Sequence, residues 1–334
     1  MVLTALMLAF TQMGGHSGAV VPAMAAIMGS EIMGTVIMAY FMVGCTVAGL
    51  CTWIGVKTGQ ELIPAAVRLY GGQARVGLAC LIALVTLPAS AVTGYYWSGL
   101  IIHHLTGMAH PLSGLVCLMV FTALAGGRGQ EWLKISNTLT LMAAPVLVFL
   151  CLYHHPTNQT APSDWGSINW ITVFALTAFH ACGTRTLLAV ETGAALQKKG
   201  REAIILALTA KCIEGVIAVG AVQVAVSANL TEGLALCQAG AVWGAGGFAV
   251  MSLFLLSAFT NVMVPAMTVS GRQMTILFGM TSEAGLVTAL VLVCALSLIS
   301  MEVLWYLLSM AGLGSVLFIT YTVWKLHKGT GKNS

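Results

Sequence analysis

Leu3–Met28 reads LTALMLAFTQMGGHSGAVVPAMAAIM, and Trp170–Val190 reads WITVFALTAFHACGTRTLLAV. Both stretches are apolar, and both are interrupted in the same manner. The first breaks around Gly14, Gly15, His16 and Gly18, the second around His180, Gly183, Thr184 and Arg185. Glycine has no Cβ to hold a helical backbone, so a helix can unwind there and free its carbonyls and amides. At membrane depth such groups are tolerated only where they line a cavity or hold a ligand or ion. The interruptions lie about half a chain apart, at corresponding positions of two halves.

Composition sets the environment. Of the 334 residues, 58% are hydrophobic and 7% charged, and the mean hydropathy is +0.94. About 20 consecutive apolar residues cross a bilayer as a helix. Ten such spans fit: 2–28, 32–55, 74–105, 110–126, 132–153, 168–196, 202–228, 241–269, 284–300 and 303–325. The alternating pattern of a membrane β-barrel is absent. The expected fold class is therefore an all-α polytopic membrane protein embedded in the lipid bilayer. The apolar N-terminus has no basic region before it and no cleavage site after it, so it reads as the first span and not as a removed signal peptide. Nine cysteines are scattered, mostly inside apolar runs (Cys45, Cys51, Cys80, Cys182, Cys294), without CxxC or ligand spacing. They read as small buried side chains, and no metal site is expected.

The basic residues sort to one side. Lys57, Arg68 and Arg75 follow span two, and Arg128 and Lys134 follow span four. Lys198, Lys199 and Arg201 follow span six, Arg272 falls in the loop after span eight, and Lys325, Lys328 and Lys332 lie in the tail. The opposite loops carry only Glu31, Asp164, Glu232 and Glu302. The positive-inside rule then places both termini in the cytoplasm, and the expected location is a bacterial cytoplasmic (inner) membrane. This placement accounts for the net charge of +4, so no nucleic-acid partner is implied. Between spans two and three, TGQELIPAAVRLYGG (Thr58–Gly72) reads as an amphipathic segment on the membrane surface.

Spans one to five (1–155) are followed by a polar external loop (156–167), then spans six to ten (168–325) and a cytoplasmic tail (326–334). Five is odd, so the second half starts on the opposite side of the membrane. That is the condition for an inverted repeat with interrupted spans one and six crossing at its centre, the five-plus-five arrangement of the LeuT-type fold. Paired discontinuous helices of this kind point to the binding site of a secondary transporter.

The polar residues at membrane depth are few, and each has a structural and a functional reading. Arg185, just after the break of span six, suits an anionic substrate group, an ion pair with Glu191, or a gate. Lys211 and Glu214, at i and i+3 in span seven, are placed to pair on one helix face or to carry a coupling proton. His16 and His180 suit packing, a substrate hydrogen bond or a proton relay. Tyr96, in TGYYWSG of span three, suits an interfacial aromatic belt or a stacking contact. Phe179, on the interrupted helix itself, is better placed to stack on a flat substrate. In span eight, Ser257, Thr260 and Asn261 suit either internal helix hydrogen bonds or a sodium site facing carbonyls freed near Gly14. Histidines near the outer side (His103, His104, His110, His154, His155) suit metal binding or, as the favoured reading, interfacial solvation. No nucleotide loop, zinc motif or nucleophile elbow occurs, so an enzyme is not expected.

Several of these segments resemble the cytosine permeases of the nucleobase:cation symporter family. WIGVKTGQELIPAAVRLYGGQA (Trp53–Ala74) resembles the family's IGAKTG-like end of span two and the LLARxSFG-like segment after it. GTRT (Gly183–Thr186) resembles its AGTLTAD-like break in span six, with Phe179 where the family has an aromatic residue. SGR (Ser270–Arg272) resembles its ASGLG-like stretch. Members typically have two more spans than the ten read here. The family's QVGW-type segment in span three is replaced by TLPAS (Thr86–Ser90), the adjacent hydroxyls of span eight by Thr260 and Asn261, and an apolar residue by Arg185. The resemblance implies import of a small-molecule substrate, a nucleobase first, by symport with Na+ or H+ and without a cofactor. Gly15, His16, Tyr96, Phe179, His180, Gly183, Arg185 and Asn261 are the expected substrate residues. Gly14, Ser257, Thr260, Lys211 and Glu214 are the expected ion-coupling residues. An amino-acid or carboxylate symporter and a non-transporting membrane sensor are the alternatives, and the oligomeric state stays open.

Overall fold

The computed structural model describes residues 31–127, 168–181, 184–227 and 234–330, with isolated positions 21, 24, 28, 131 and 138. Spans one and five and the external loop lie outside the described residues. The helices are α1 (Ile32–Thr58), α2 (Leu62–Tyr70), α3 (Gln73–Thr106), α4 (His110–Gly126), α5 (Trp170–Ala181) and α6 (Thr184–Ala195). They continue as α7 (Gly200–Ser227), α8 (Ala235–Gly240), α9 (Gly244–Phe278), α10 (Ser282–Leu296) and α11 (Met301–Thr330). No strand occurs among the described residues.

Five stretches are each long and apolar enough to cross a membrane: Ile32–Thr58, Gln73–Thr106, Gln197–Val226, Leu236–Phe278 and Met301–Lys328. Their outer faces are apolar as well. Val216, Leu253 and Leu317 are 63%, 64% and 61% exposed, and Val287 and Val291 are exposed beside them on α10. Water would not tolerate so much contiguous apolar surface on a monomeric domain, whereas lipid tails solvate it. The buried set, in contrast, includes Thr35, Thr52, Thr86, Ser90, Thr93, Ser252, Ser270, Gln273, Lys211 and Glu214. The chain is a multi-pass membrane protein.

In a bilayer, helices associate through close packing and internal hydrogen bonds, because lipid removes the hydrophobic drive between them. The extensive pairings are α5 with α11, α6 with α1, α9 with α10 and α3, and α7 with α1. Between α3 and α9, Ser270 Oγ donates to Thr86 Oγ1 at 2.9 Å, and Thr86 in turn donates to Ile82 O at 3.0 Å. Thr86→Val keeps the volume and removes this bridge. The expected loss is about 0.6–1 kcal/mol, the usual worth of an interhelical hydrogen bond in a bundle. Unfolding in mixed micelles checks it.

The ends of several helices show which of their connections lie together. The KTG motif closes α1: Gly59 takes the left-handed conformation (φ 63°) and its N–H bonds to Gly55 O at 2.8 Å, the glycine termination that an L side chain would strain. The Gln197 side chain, from the loop after α6, lies over Gly59. Lys325, from the end of α11, donates to Leu69 O of α2 at 2.6 Å. The connections after spans two and six and the end of span ten therefore share one end of the bundle. At the other end, Asn169 N–H donates to Thr35 Oγ1 at 3.2 Å, and Ser309 Oγ donates to Ile171 O at 2.6 Å.

One placement is corrected. Arg272, read from the sequence as a loop residue, lies within α9, which runs on to Phe278. The polar SGR triplet does not end the helix, because Ser270 and Gly271 are buried against α3 and α10 and only Arg272 faces out. The eighth span is accordingly shifted, with the short α8 before it.

Candidate functional site

The expected second interruption falls at Cys182 and Gly183, between the described ranges of α5 and α6. α5 is described to Ala181 and α6 from Thr184, and Cys182 and Gly183 lie outside the described residues. His180 belongs to α5 and Arg185 to α6, and their side chains also lie outside the described set. Gly14, Gly15 and His16 of the first interruption lie outside it too. Asn169 anchors the start of α5 by accepting from Thr172 N–H at 3.2 Å. Phe179, near its end, is 4% exposed and meets Trp305 of α11 edge-on, with ring centroids 5.6 Å apart and planes at 67°. α5 also touches α3, and α6 touches α9. Span six thus adjoins spans three and eight, and span one, the remaining part of the expected site, lies outside the described residues.

On α9, Ser257 and Asn261 are buried one turn apart, and Thr260 is partly buried beside them. Thr260 Oγ1 donates to Leu256 O at 2.8 Å. That bond uses the hydroxyl proton and leaves oxygen lone pairs as acceptors for a hard cation.

Lys211 and Glu214 do pair. Lys211 Nζ donates to Glu214 Oε2 at 2.9 Å, with side chains 6% and 1% exposed, about halfway along α7. The ammonium also sits 5.0 Å from the centroid of Tyr40, a fully buried residue of α1. Tyr40 lies in Met38–Gly44, where α1 widens to a π-helical turn. Such turns insert one residue into the helix and recur at functional sites. A Cβ on Gly44 would come within 2.9 Å of Lys211 Cε, so the missing side chain makes room for the lysine stem. Cys45 Sγ and Cys212 Sγ approach to 3.7 Å on the same helix pair. The i, i+3 spacing exposed the ion pair in the sequence. The Tyr40 and cysteine contacts cross between helices, and no local pattern signals them.

Tyr96 is 40% exposed and lies in a second π-helical turn, Ala91–Trp97 of α3. Its ring partners are Trp97, at 5.0 Å and 87°, and His110, at 5.3 Å and 68°. His110 Nε2 bonds Tyr96 O at 3.0 Å, and His103 Nδ1 bonds Met108 O at 2.6 Å. Tyr96 is thus tied to the α3–α4 turn rather than to Phe179 or Asn261. The wide turn also lets Ser98 Oγ donate to Thr93 O at 2.8 Å, five residues back. Beside it, Trp97 is buried, and among the described residues its Nε1–H has no hydrogen-bond partner. The sequence reading placed Trp97 with the aromatic cluster of TGYYWSG and took Tyr96, not Trp97, as the candidate contact. Glu191, considered as a partner for Arg185, lies within electrostatic range of Glu61 and Arg272. Among the described residues no group of three or more His, Cys, Asp or Glu side chains converges as for a metal.

No protein-family model matches the chain, and neither does any curated protein sequence. Solved structures do match. Mhp1, a nucleobase-cation-symport-1 family transporter in a closed conformation with bromovinylhydantoin bound, superposes with a TM-score of 0.65 at 14% identity. The match covers 96% of the present chain and 77% of Mhp1. MhsT in complex with L-phenylalanine superposes with a TM-score of 0.65 at 13% identity, covering 97% and 87% of the two chains. At such identity the likeness speaks for the fold alone: the chain has the all-helical, LeuT-type fold of these two membrane proteins.

Proposed function

We propose that the chain is a secondary active transporter that moves a small polar metabolite across the membrane by symport with an ion. The observation that carries this is the fold shared over nearly its whole length with a cation-symporting transporter. The paired interruptions that the sequence places around 14–18 and 180–185 support it, because half-helix ends direct backbone dipoles into a central site. In this reading 1–155 and 168–325 are inverted repeats of five spans each, and both termini are cytoplasmic. Phe179, His180, Gly183 and Arg185 of span six face Gly15 and His16 of span one, with Asn261 on span eight and Tyr96 toward the outer mouth. Ser257 and Thr260, with carbonyls near Gly14, form the sodium position. Lys211 and Glu214 are the proton-carrying alternative. Transport proceeds by alternating exposure of this site to the two sides.

A nucleobase is the first substrate proposed, on the resemblance of Trp53–Ala74 and Gly183–Thr186 to cytosine permeases. Uptake of labelled cytosine, uracil and purines into proteoliposomes, under imposed sodium or proton gradients, tests it. Accumulation of one of them under one gradient is the expected result. Accumulation of an amino or organic acid and of no nucleobase overturns it. Arg185 favours that second reading, since a guanidinium beside the break suits a carboxylate. If it holds, Arg185→Gln lowers uptake of the acid by at least about 10-fold, the usual cost of a lost charged hydrogen bond, and spares a neutral analogue. Competition assays separate the two substrates.

A further inference from the structure

The basic end of the bundle carries an arrangement that transport does not use. There α2 lies against the last turns of α11. Tyr70 Oη donates to Thr322 Oγ1 at 3.0 Å, and its ring stacks on Tyr321, with centroids 5.8 Å apart. Burial holds the Tyr70 phenol above its ordinary pKa, so the hydroxyl remains a donor. Tyr321 stacks in turn on Trp324 at 5.5 Å. Two ammonium groups cap this ladder: Lys325 Nζ lies 4.2 Å from the Tyr70 centroid, and Lys328 Nζ lies 4.1 Å from the Trp324 centroid. Arg68, on the last turn of α2, and Arg75, on the first turn of α3, are exposed next to it in the chain.

Two features point to a ligand from the membrane. Among the described residues none of these four cations forms an ion pair; the ion pairs formed there are Lys199–Glu202 and Lys211–Glu214. Two rings of the ladder are also exposed, Trp324 beneath Lys328 at 49% and its neighbour Tyr321 at 53%, on a helix that crosses the bilayer. Exposed Tyr and Trp rings settle at headgroup level, and cations there attract anionic headgroups. We infer that this corner, formed by Arg68, Arg75, Lys325 and Lys328 over the Tyr70–Tyr321–Trp324 ladder, binds the phosphate of an anionic phospholipid. Its acyl chains lie along the exposed face of α11. The bound lipid bridges α2 to α11 and so stabilises the clasp made by Tyr70 and Lys325.

Thermal unfolding of the purified full chain in detergent tests this, with added phosphatidylglycerol, phosphatidylcholine or inorganic phosphate. Phosphatidylglycerol is expected to raise the midpoint, while phosphatidylcholine and free phosphate leave it unchanged. The double variant Arg75→Gln, Lys328→Gln is expected to lose at least half of that rise and to match the parent in phosphatidylcholine. Lys199→Gln, at the same end but paired with Glu202, is expected to keep all of it. If the double variant keeps the full rise, or Lys199→Gln loses as much, the site is not at this corner. An equal rise with phosphatidylcholine overturns headgroup recognition, and an equal rise with free phosphate overturns the lipid as its source. If the double variant is unstable in phosphatidylcholine, Lys328→Gln alone, on the outermost exposed position, gives the same discrimination.

Discussion

Glu214→Leu is expected to abolish the recovery of folded, monodisperse protein, and Lys211→Met is expected to do nearly the same. Each removes one member of a 2.9 Å ion pair with almost no exposed surface. The remaining charge keeps the desolvation penalty and loses its partner at 2.9 Å. Breaking a buried pair in this way costs about 3–5 kcal/mol, a large share of the stability of any domain. The double variant Lys211→Met, Glu214→Leu removes both charges at nearly unchanged volume. It is expected to recover most of the loss, as buried pairs replaced by apolar isosteres commonly do. Thermal midpoints of the four proteins form a cycle that isolates the pair. The same four proteins separate the two roles of the pair. If it carries the coupling proton, the folded double variant exchanges substrate but no longer accumulates it under a proton gradient. If the pair is structural, uphill uptake persists.

The second large effect is expected at the crossing of α1 and α6. A Cβ on Gly55 would run into Val190 O, and one on Gly193 would run into Thr52 O. Both obstacles are backbone, so no rotamer change makes room, and the helices must separate. Overpacking of a close-packed interior costs about 1–3 kcal/mol for side chains that can adjust, and more where they cannot. Gly55→Val and Gly193→Val are each expected to lower the unfolding midpoint sharply. Because α6 carries Arg185 and begins at the expected break, displacing it also lowers uptake in whatever protein remains folded. The combined variant is expected to cost less than the sum, since the gap opened for one side chain accommodates the other. Full additivity would show that the two glycines do not share one contact.

The sequence alone determined the class and the ends of several elements. Hydropathy is a sum over neighbours in the chain, so the limits of α3 and α4 and the amphipathic α2 were legible without tertiary information. The grouping of Lys and Arg was legible for the same reason, as was the i, i+3 ion pair. Arg272 shows where that logic stops. A Ser-Gly-Arg triplet reads as a loop, yet α9 continues through it, because Ser270 finds Thr86 and Gly271 meets Leu286.

Only the tertiary structure decided which side chains meet across helices. Tyr40 over Lys211, Cys45 beside Cys212, Phe179 against Trp305 and Tyr70 beneath Lys325 each join residues far apart in the chain. The two π-helical turns belong to this category as well. One extra residue in a turn rotates every side chain beyond it, and an apolar run looks the same with or without it. Such contacts depend on how each helix is rotated and how closely glycine lets its neighbour approach. The hydropathy of a span carries neither quantity, and the packing of the whole bundle sets both.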